Sequence, residues 1–277
     1  MFAATLLAFR EGLEAALIIG IVLGVLGRME RKDQNWIVWL GAGLAGLGSL
    51  IIGAGLHALG VAFEGRAEEI FEGIAMLLAA AVLTWMIFWM ARQGRGIQSE
   101  LEQDVRRAAI RGGAWALFAL AFVAVFREGI ELALFLTAAA FTASTGATLI
   151  GGLLGLVLAV IAGWLLFATT RRLDIRAFFR VTSVLLILFA AGLVAHGVHE
   201  LNEAGWIPSI VEHVWDVNPL LDEGSELGQL LKALVGYNGN PSLTEVIAYA
   251  GYWLAILLAL WRTRVQTERE PTWVRAT

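Results

Sequence analysis

The sequence predicts an all-α membrane protein with seven transmembrane helices, its N-terminus outside and its C-terminus in the cytoplasm. Of the 277 residues, 58% are hydrophobic and only 16% are charged, whereas soluble domains carry about 25% charged residues. Seven apolar stretches are long enough to cross a hydrocarbon core of about 30 Å as helices. Segments that cross lipid must satisfy their own backbone hydrogen bonds, which favours helices over strands for runs of this length.

The seven predicted spans are residues 2–27, 36–62, 70–90, 112–141, 147–169, 177–200 and 244–261. The first run has no basic leading segment and carries three charged residues among its apolar ones, so we interpret it as a retained helix and not as a cleaved signal peptide.

The connections between spans predict two further helical regions and a division of the chain. Residues 98–111 are charged, with Glu102 and Arg106 at i,i+4 spacing, which is typical of a solvent-exposed cytoplasmic helix. The prolines and the glycine-asparagine cluster after residue 200 predict a compact outer loop with one or two short helices. We therefore divide the chain into a first three-helix repeat with a cytoplasmic linker, a second three-helix repeat, the outer loop, and a seventh helix with its tail, at residues 1–111, 112–200, 201–243 and 244–277.

The distribution of basic residues predicts the orientation. Cytoplasmic loops carry the excess of lysine and arginine, and here four alternate loops hold 3, 5, 4 and 4 of them against one each, Arg66 and Lys232, in the others. The formal net charge of −4 then separates into +8 inside (16 basic, 8 acidic), −10 outside (2 and 12) and −2 within the spans (2 and 4). We expect a multi-pass protein of the inner (cytoplasmic) membrane with lipid as its surroundings. The chain has no excess of basic residues, so the sequence gives no indication of a nucleic-acid partner.

The residue inventory limits the chemistry. The chain has no cysteine, which excludes disulfides, thiolate nucleophiles and cysteine-held metals, so any metal must bind to oxygen or nitrogen. The sequence has no phosphate-binding loop of the Walker type, so self-contained ATP-driven transport is not expected. No organic cofactor is expected either.

A ten-residue segment occurs twice. Residues 8–17 align with residues 125–134 at an offset of 117, and both contain the pattern Phe-Arg-Glu-Gly-x-Glu. Three spans separate the copies, so they run in opposite directions across the membrane. This predicts an inverted 3+3 repeat with a seventh helix added, an architecture that places substrate near the midplane between the halves.

The repeated segment places six charged residues inside predicted spans: Arg10, Glu11, Glu14, Arg127, Glu128 and Glu131. Each such group costs at least about 2.5 kcal/mol in a membrane and therefore marks function by default. An alternative is an ion-pair lock between two helices. However, each motif has two carboxylates and one guanidinium, so pairing leaves a negative charge that needs a proton or a cation. Four carboxylates oriented by two arginines would suit a hard ion such as iron(III), manganese or magnesium.

Two clusters near the outer ends of the spans are further candidates. Glu68 and Glu72, with their acidic neighbours Glu64 and Glu69, form a patch that we interpret as an entry funnel or a second set of ligands. The alternative is an ordinary helix N-terminus, where acids are favourable.

The end of the sixth span carries His196, His199, Glu200 and Glu203 on one helical face. His199 and Glu200 are the candidate metal ligands there, and the alternative is a hydrogen-bond network at the helix end. By contrast, Met86 and Met90 are interpreted as packing residues. Trp36, Trp39, Trp89, Trp206 and Trp261 are expected in the interfacial aromatic belts.

The paired segments FREGLE and FREGIE resemble the REGLE-type (RExxE) motifs of the oxidase-dependent iron permeases, the family of the bacterial EfeU-type and fungal high-affinity iron permeases. The resemblance covers nearly the whole chain. It implies import of iron as iron(III), made by an external oxidase from iron(II), with Glu11, Glu14, Glu128 and Glu131 as ligands. It also implies a periplasmic or extracellular partner, either an iron oxidase or an iron-delivery protein. Some relatives are assigned to lead, so lead or manganese stays open as the metal, and a homo-oligomer stays open as the assembly.

Two other function classes could also use carboxylates within a membrane. An intramembrane di-iron enzyme would use Glu-x-x-His pairs on facing helices, whereas both motifs here are Glu-x-x-Glu, so we predict that the protein is not an enzyme. A proton-coupled carrier of an organic solute could use the same carboxylates as a proton relay.

Overall fold

The computed structural model describes residues 1–93, 97–168 and 175–269, and the regular elements in these ranges are helices. Seven of them are long: α1 (Phe2–Arg28), α2 (Asn35–Ala62), α3 (Arg66–Gln93), α5 (Gly113–Thr142), α6 (Thr145–Ala168), α7 (Ile175–Glu203) and α9 (Leu243–Arg269). Two are short: α4 (Ile97–Arg107) and α8 (Glu226–Val235). The long helices coincide with the seven predicted apolar stretches, and α9 extends furthest beyond its predicted end.

Length and composition identify five candidate membrane spans in the described ranges: Lys32–Ala62, Arg66–Ala91, Thr145–Leu166, Phe178–Glu203 and Leu243–Arg262. The described part of the chain is thus all-helical, and the protein is a multi-pass membrane protein. Helices α1 and α5, which carry the repeated charged motif, are not among the five, so the count of seven spans stays a prediction. The orientation also stays a prediction, and part of its basis lies outside the described residues, at Arg95, Arg171, Arg172 and Arg275.

The helices pair across the two halves of the chain. Helix α1 packs mainly against α6, α2 against α5, and α3 against α7. Small residues make the first of these pairs close: a Cβ at Gly155 would lie 2.8 Å from that of Ala8, and a Cβ at Gly163 would lie 2.9 Å from that of Ala16. The register advances in the same direction along both helices, so α1 and α6 run parallel.

The pair formed by α2 and α5 has the same arrangement. A Cβ at Gly48 would lie 3.0 Å from the ring of Phe126, and one at Gly53 would lie 3.4 Å from the Cβ of Ala133. These helices are therefore also parallel. The first helix of each half packs against the second helix of the other half.

Two apolar clusters fix the relative direction of α1 and α5, which also contact each other. One cluster contains Leu7 of α1 and Phe135 of α5, together with buried residues of α3 and α7. The other contains Val22 of α1 and Leu117 of α5, together with residues of α2 and α4. The N-terminal part of α1 thus lies beside the C-terminal part of α5, and the two helices are antiparallel.

The connection between α7 and α9 forms a loop layer (residues 204–242) at one end of the helix bundle, and it contains a single short helix, α8. Ser225 caps the start of α8 by accepting a hydrogen bond from the Gly228 amide at 3.0 Å. Gly236 ends the helix with a φ of +71°, a left-handed conformation that glycine adopts without strain. The same residue lies directly against Gly192 of α7, so the loop layer is tied to the bundle through backbone contact.

Helix α4 is docked on the opposite end of the bundle and is not simply solvated, which corrects the sequence interpretation. Val105 is fully buried, and so is Ala109 in the π-helical turn that follows. Both pack in the cluster that contains Val22. The Arg31 guanidinium donates to the Ala109 carbonyl oxygen at 2.6 Å. An amphipathic helix explains both observations, since its charged face is exposed while its apolar face packs against α1.

Candidate metal site

Three buried glutamates meet where α1 and α5 contact each other. Glu11, Glu128 and Glu131 each offer a carboxylate oxygen, and these oxygens lie within 4.8 Å of one another. The three residues are only 1%, 5% and 8% exposed. Helix α5 supplies two of them from positions i and i+3, and α1 supplies the third. Within the described residues, no other set of three or more carboxylate or imidazole ligands is this close.

The fourth predicted ligand, Glu14, lies outside this group. One of its oxygens is 3.1 Å from a terminal nitrogen of Arg10, and its side chain is 12% exposed. The sequence predicted a quartet, and the structure brings three carboxylates together with Glu14 beside them. Glu14 is one turn beyond Arg10 on the same helix and forms an i,i+4 ion pair with it.

Arg10 is completely buried and is held from two sides. Its Nη1 donates to Glu11 Oε1 at 2.7 Å and to the Met86 sulfur at 3.2 Å. Its Nη2 lies 3.1 Å from Glu14 Oε1 and donates to the Met90 sulfur at 2.8 Å. The interpretation of both methionines as packing residues was therefore incomplete, because each also accepts a hydrogen bond from a buried cation.

Arg127 occupies the equivalent position in α5 but has different surroundings. Its Nε donates to Glu131 Oε1 at 2.9 Å and lies 4.0 Å from Glu128 Oε1. The centre of its guanidinium is 4.7 Å from the centroid of the Trp89 ring. Its side chain is 38% exposed, against 1% for Arg10. Trp89 was expected in an aromatic belt, and the structure places it against this charge.

The electrostatics of the site leave room for a cation. Each of the three clustered carboxylates has one buried oxygen, Oε2, without a hydrogen-bond partner. Glu14 Oε1 beside them is also buried without a hydrogen-bond partner. Buried polar atoms are nearly always paired, so these orphaned oxygens at one place need an explanation. Two guanidinium groups face four carboxylates, and full ionisation would leave two negative charges uncompensated. An ion at the centre of the three carboxylate oxygens that lie within 4.8 Å of one another, one from each residue, would be at most roughly 2.8 Å from each of them. This distance is near the range of oxygen ligands to hard cations.

Buried apolar side chains lie on both sides of the site along α1 and α5. Towards the end that carries the loop layer, Leu7 and Phe135 are fully buried, one turn beyond Glu11 and Glu131. Towards the opposite end, Val22 is fully buried in a second apolar layer. Buried apolar residues therefore lie on both sides of the glutamates along the helix axes.

The glycine of each motif allows the motif helix to pack closely. A Cβ at Gly12 would lie 2.8 Å from the Cβ of Ala159 in α6. A Cβ at Gly129 would overlap the Ser49 side chain in α2, at 2.6 Å from its Cβ. In both halves this residue packs against the second helix of the other half, which explains the glycine physically.

The predicted acidic patch is separate from the glutamate group. Glu68 is exposed and Glu72 is half-buried at the start of α3. Glu72 and Met86 are 14 residues apart along α3, which corresponds to about 21 Å. Glu68, Glu72, His199 and Glu200 form no close ligand group of their own in the described structure.

His199 belongs to a hydrogen-bonded network at the helix end, the alternative considered above. Its Nε2 lies 3.3 Å from Glu203, and its Nδ1 lies 3.4 Å from Glu245 of α9. Glu245, which the sequence reasoning missed, is 2% exposed and also accepts bonds from Asn238 at 2.8 Å and from the Ser242 amide at 3.3 Å. The sequence does contain a pattern that predicts this contact, because Ser242 and Glu245 form the Ser-x-x-Glu pattern of a capping box.

Comparison with known proteins identifies the family of this chain. Residues 1–267 match the family described as iron permease FTR1. The chain belongs to the iron permease FTR1 family. The resemblance inferred from the paired motifs is thereby confirmed, and no solved structure matches the chain.

Relatives in this family are named as transporters. The chain is 37% identical over 262 residues to the ferrous iron permease EfeU of Escherichia coli O6:K15:H31, covering 94% of this chain and 95% of the relative. It is 36% identical over 261 residues to the ferrous iron permease EfeU of Yersinia pestis, covering 93% and 92%. An EfeU relative from Escherichia coli K12, also 37% identical, carries a name that calls its activity into question. The names are those of permeases, consistent with a transporter and not an enzyme.

Proposed function

We propose that this protein imports iron across the cytoplasmic membrane and that Glu11, Glu128 and Glu131 bind the ion in transit. The observation that carries the proposal is the group of three buried carboxylates, each with an unpaired oxygen, in a member of the iron permease FTR1 family. Arg10 and Arg127 orient the carboxylates and limit the net negative charge. This limit keeps binding weak enough for release.

The proposed architecture has seven spans, with α1 to α3 and α5 to α7 as inverted repeats and α9 added. The cross-half pairing of α1 with α6 and of α2 with α5 supports it, since a pseudo-twofold axis would exchange these pairs. The antiparallel contact of α1 and α5 supports it as well. In the proposed orientation the N-terminus and the loop layer face outside, and α4 lies in the cytoplasm.

The proposed path begins at the outer acidic patch of Glu64, Glu68, Glu69 and Glu72, where cations collect. The ion then loses its water and reaches the carboxylate group near the midplane. Because fully buried apolar residues such as Leu7 and Val22 flank this group, entry and release require the two apolar layers to open. Opening them one at a time would keep the membrane sealed during transport.

The proposed form of the ion at the site is iron(III). An external oxidase would take one electron from iron(II) and pass it to its own acceptor, and the carboxylates would then receive the hard ion that oxygen ligands favour. The protein partner is accordingly an iron oxidase or an iron-delivery protein at the outer face. The curated relatives are named for ferrous iron, which fits iron(II) as the external supply.

The test is iron uptake by cells that depend on this protein. Glu11→Ala and Glu128→Ala should each abolish uptake at membrane abundance equal to wild type, because each removes one of three ligands and its charge. Glu212→Ala, at an exposed position of the loop layer, is the matched control and should retain uptake. Undiminished uptake in either of the two site variants would overturn the proposal. Accumulation of an organic solute with protons, without metal, would favour the carrier instead.

A further inference from the structure

We propose that one turn of α3, formed by Met86, Trp89 and Met90, is a cradle that positions both arginines and thereby sets the affinity of the carboxylate group for its ion. The three residues lie at i, i+3 and i+4 on one helical face. Two of them hold Arg10 and the third holds Arg127. This inference rests on the proposed function, since it concerns the affinity of the same site.

The sulfur atoms determine how Arg10 shares its donors. A buried guanidinium has five N–H groups and no water, so it turns towards any acceptor within reach. Two of the available acceptors are the sulfurs of Met86 and Met90, at 3.2 and 2.8 Å. Each N–H that points to sulfur is withheld from a carboxylate. Arg10 bonds to Glu11 through Oε1 alone, and both Glu11 Oε2 and Glu14 Oε1 are left without a hydrogen-bond partner.

Trp89 has the corresponding effect on Arg127. A guanidinium 4.7 Å from the ring centroid gains a cation–π attraction that does not use a carboxylate. Arg127 approaches Glu131 through Nε at 2.9 Å, and Glu131 Oε2 has no hydrogen-bond partner. A guanidinium free of the ring could turn its two-nitrogen edge to the carboxylate and occupy both oxygens.

The cradle also links α3 to both motif helices. Arg10 comes from α1 and Arg127 from α5, yet both are held by the same turn of a third helix. A shift of α3 along its axis would move both guanidinium groups relative to the carboxylates at once. The sequence repeat cannot reveal this link, because neither methionine nor tryptophan is part of the repeated motif.

The test measures iron uptake as a function of iron concentration with the full-length protein in membranes. Met86→Leu with Met90→Leu keeps the side-chain volume but removes both acceptors. We expect KM for iron to rise about tenfold, the usual effect of one lost hydrogen bond to a charged group, while the maximal rate per transporter stays within about twofold. Met86→Gln with Met90→Gln restores acceptors at similar length and should bring KM back to within about threefold of wild type.

Met76→Leu is the matched control, because Met76 is buried on the same helix in the same apolar cluster. An unchanged KM in the leucine double variant, or an equal rise in Met76→Leu, would overturn the cradle. If the double variant does not reach the membrane, Trp89→Phe against Trp89→Leu decides the matter, since only phenylalanine keeps an aromatic face for Arg127. Equal KM values in that pair would also overturn it. Intact uptake in Glu11→Ala would instead refute the proposed function itself.

Discussion

Two glutamates of this protein allow a direct test of which carboxylates bind the ion. Glu14 and Glu131 are each paired with the arginine of their own motif at i,i+4, at 3.1 and 2.9 Å. Replacing either by glutamine removes one negative charge and weakens one arginine pair. The two positions differ in that only Glu131 belongs to the group whose oxygens lie within 4.8 Å. A pure charge effect would therefore be equal at both positions, whereas a ligand effect would not.

The expected magnitudes follow from this difference. Glu131→Gln removes a charge in contact with the ion, and a unit charge pair at 4 Å is worth about 4 kcal/mol at an effective dielectric constant of 20, or about a thousandfold in affinity. Glu14→Gln acts through Arg10, as an outer partner of the ligands does, and such partners contribute about ten- to a hundredfold. Glu131→Gln should thus raise KM for iron at least tenfold more than Glu14→Gln does.

The assay is concentration-dependent uptake of radioactive iron by cells without another iron importer, normalised to transporter in the membrane. Binding of iron to the purified protein by calorimetry gives the same ratio without transport. Equal losses at the two positions would refute the three-carboxylate group. A larger loss for Glu14→Gln would place the ion at Glu14 and would likewise refute the three-carboxylate group.

Two further predictions concern stability, measured as the melting temperature of the purified protein in detergent. Gly129→Ala should destabilise the fold by about 1–3 kcal/mol, because the added methyl group overlaps Ser49. Adding Ser49→Gly should recover most of this loss. Gly24→Ala is the control and should cost little stability, because its methyl group meets no atom within 4 Å. A melting temperature of Gly129→Ala equal to that of Gly24→Ala would contradict this packing. Ser242→Ala should cost about 1 kcal/mol by removing the capping bond to the Glu245 amide, and an unchanged melting temperature would show that the α9 start does not depend on its cap.

Much of the fold could be predicted because hydropathy and spacing act locally. The length of the apolar stretches predicted most ends of the long helices to within a few residues. The duplicated motif pointed to Glu11, Glu128 and Glu131. The exclusion of Glu14 could not be predicted, because i,i+3 and i,i+4 spacing make all four glutamates look equivalent. What separates them is the tilt and rotation of α1 against α5, and those depend on packing with α6 and α2.

The side chains that contact the two arginines could not be predicted from the sequence, for a related reason. Met86 is 76 residues from Arg10 along the chain, and its side chain alone is that of an ordinary core residue. No local sequence pattern predicts that a thioether will accept a hydrogen bond from a guanidinium. The capping box at Ser242 shows the contrast: its two members are three residues apart, so the burial of Glu245 had a readable signal.

Two motifs with the same sequence pattern thus occupy unequal environments, and this inequality bears on how the site works. Arg10 is completely buried, so the only partners for its N–H groups in the described structure are Glu11, Glu14 and the two methionine sulfurs. Its Nε has no hydrogen-bond partner there. The Arg127 side chain is 38% exposed and is therefore less tightly enclosed than that of Arg10. If the site opens by movement of α3, the guanidinium of Arg127 is the one free to follow, while Arg10 stays with Glu11. An inverted repeat would then supply the scaffold, and the unequal contacts of α3 would decide which half of the site yields the ion.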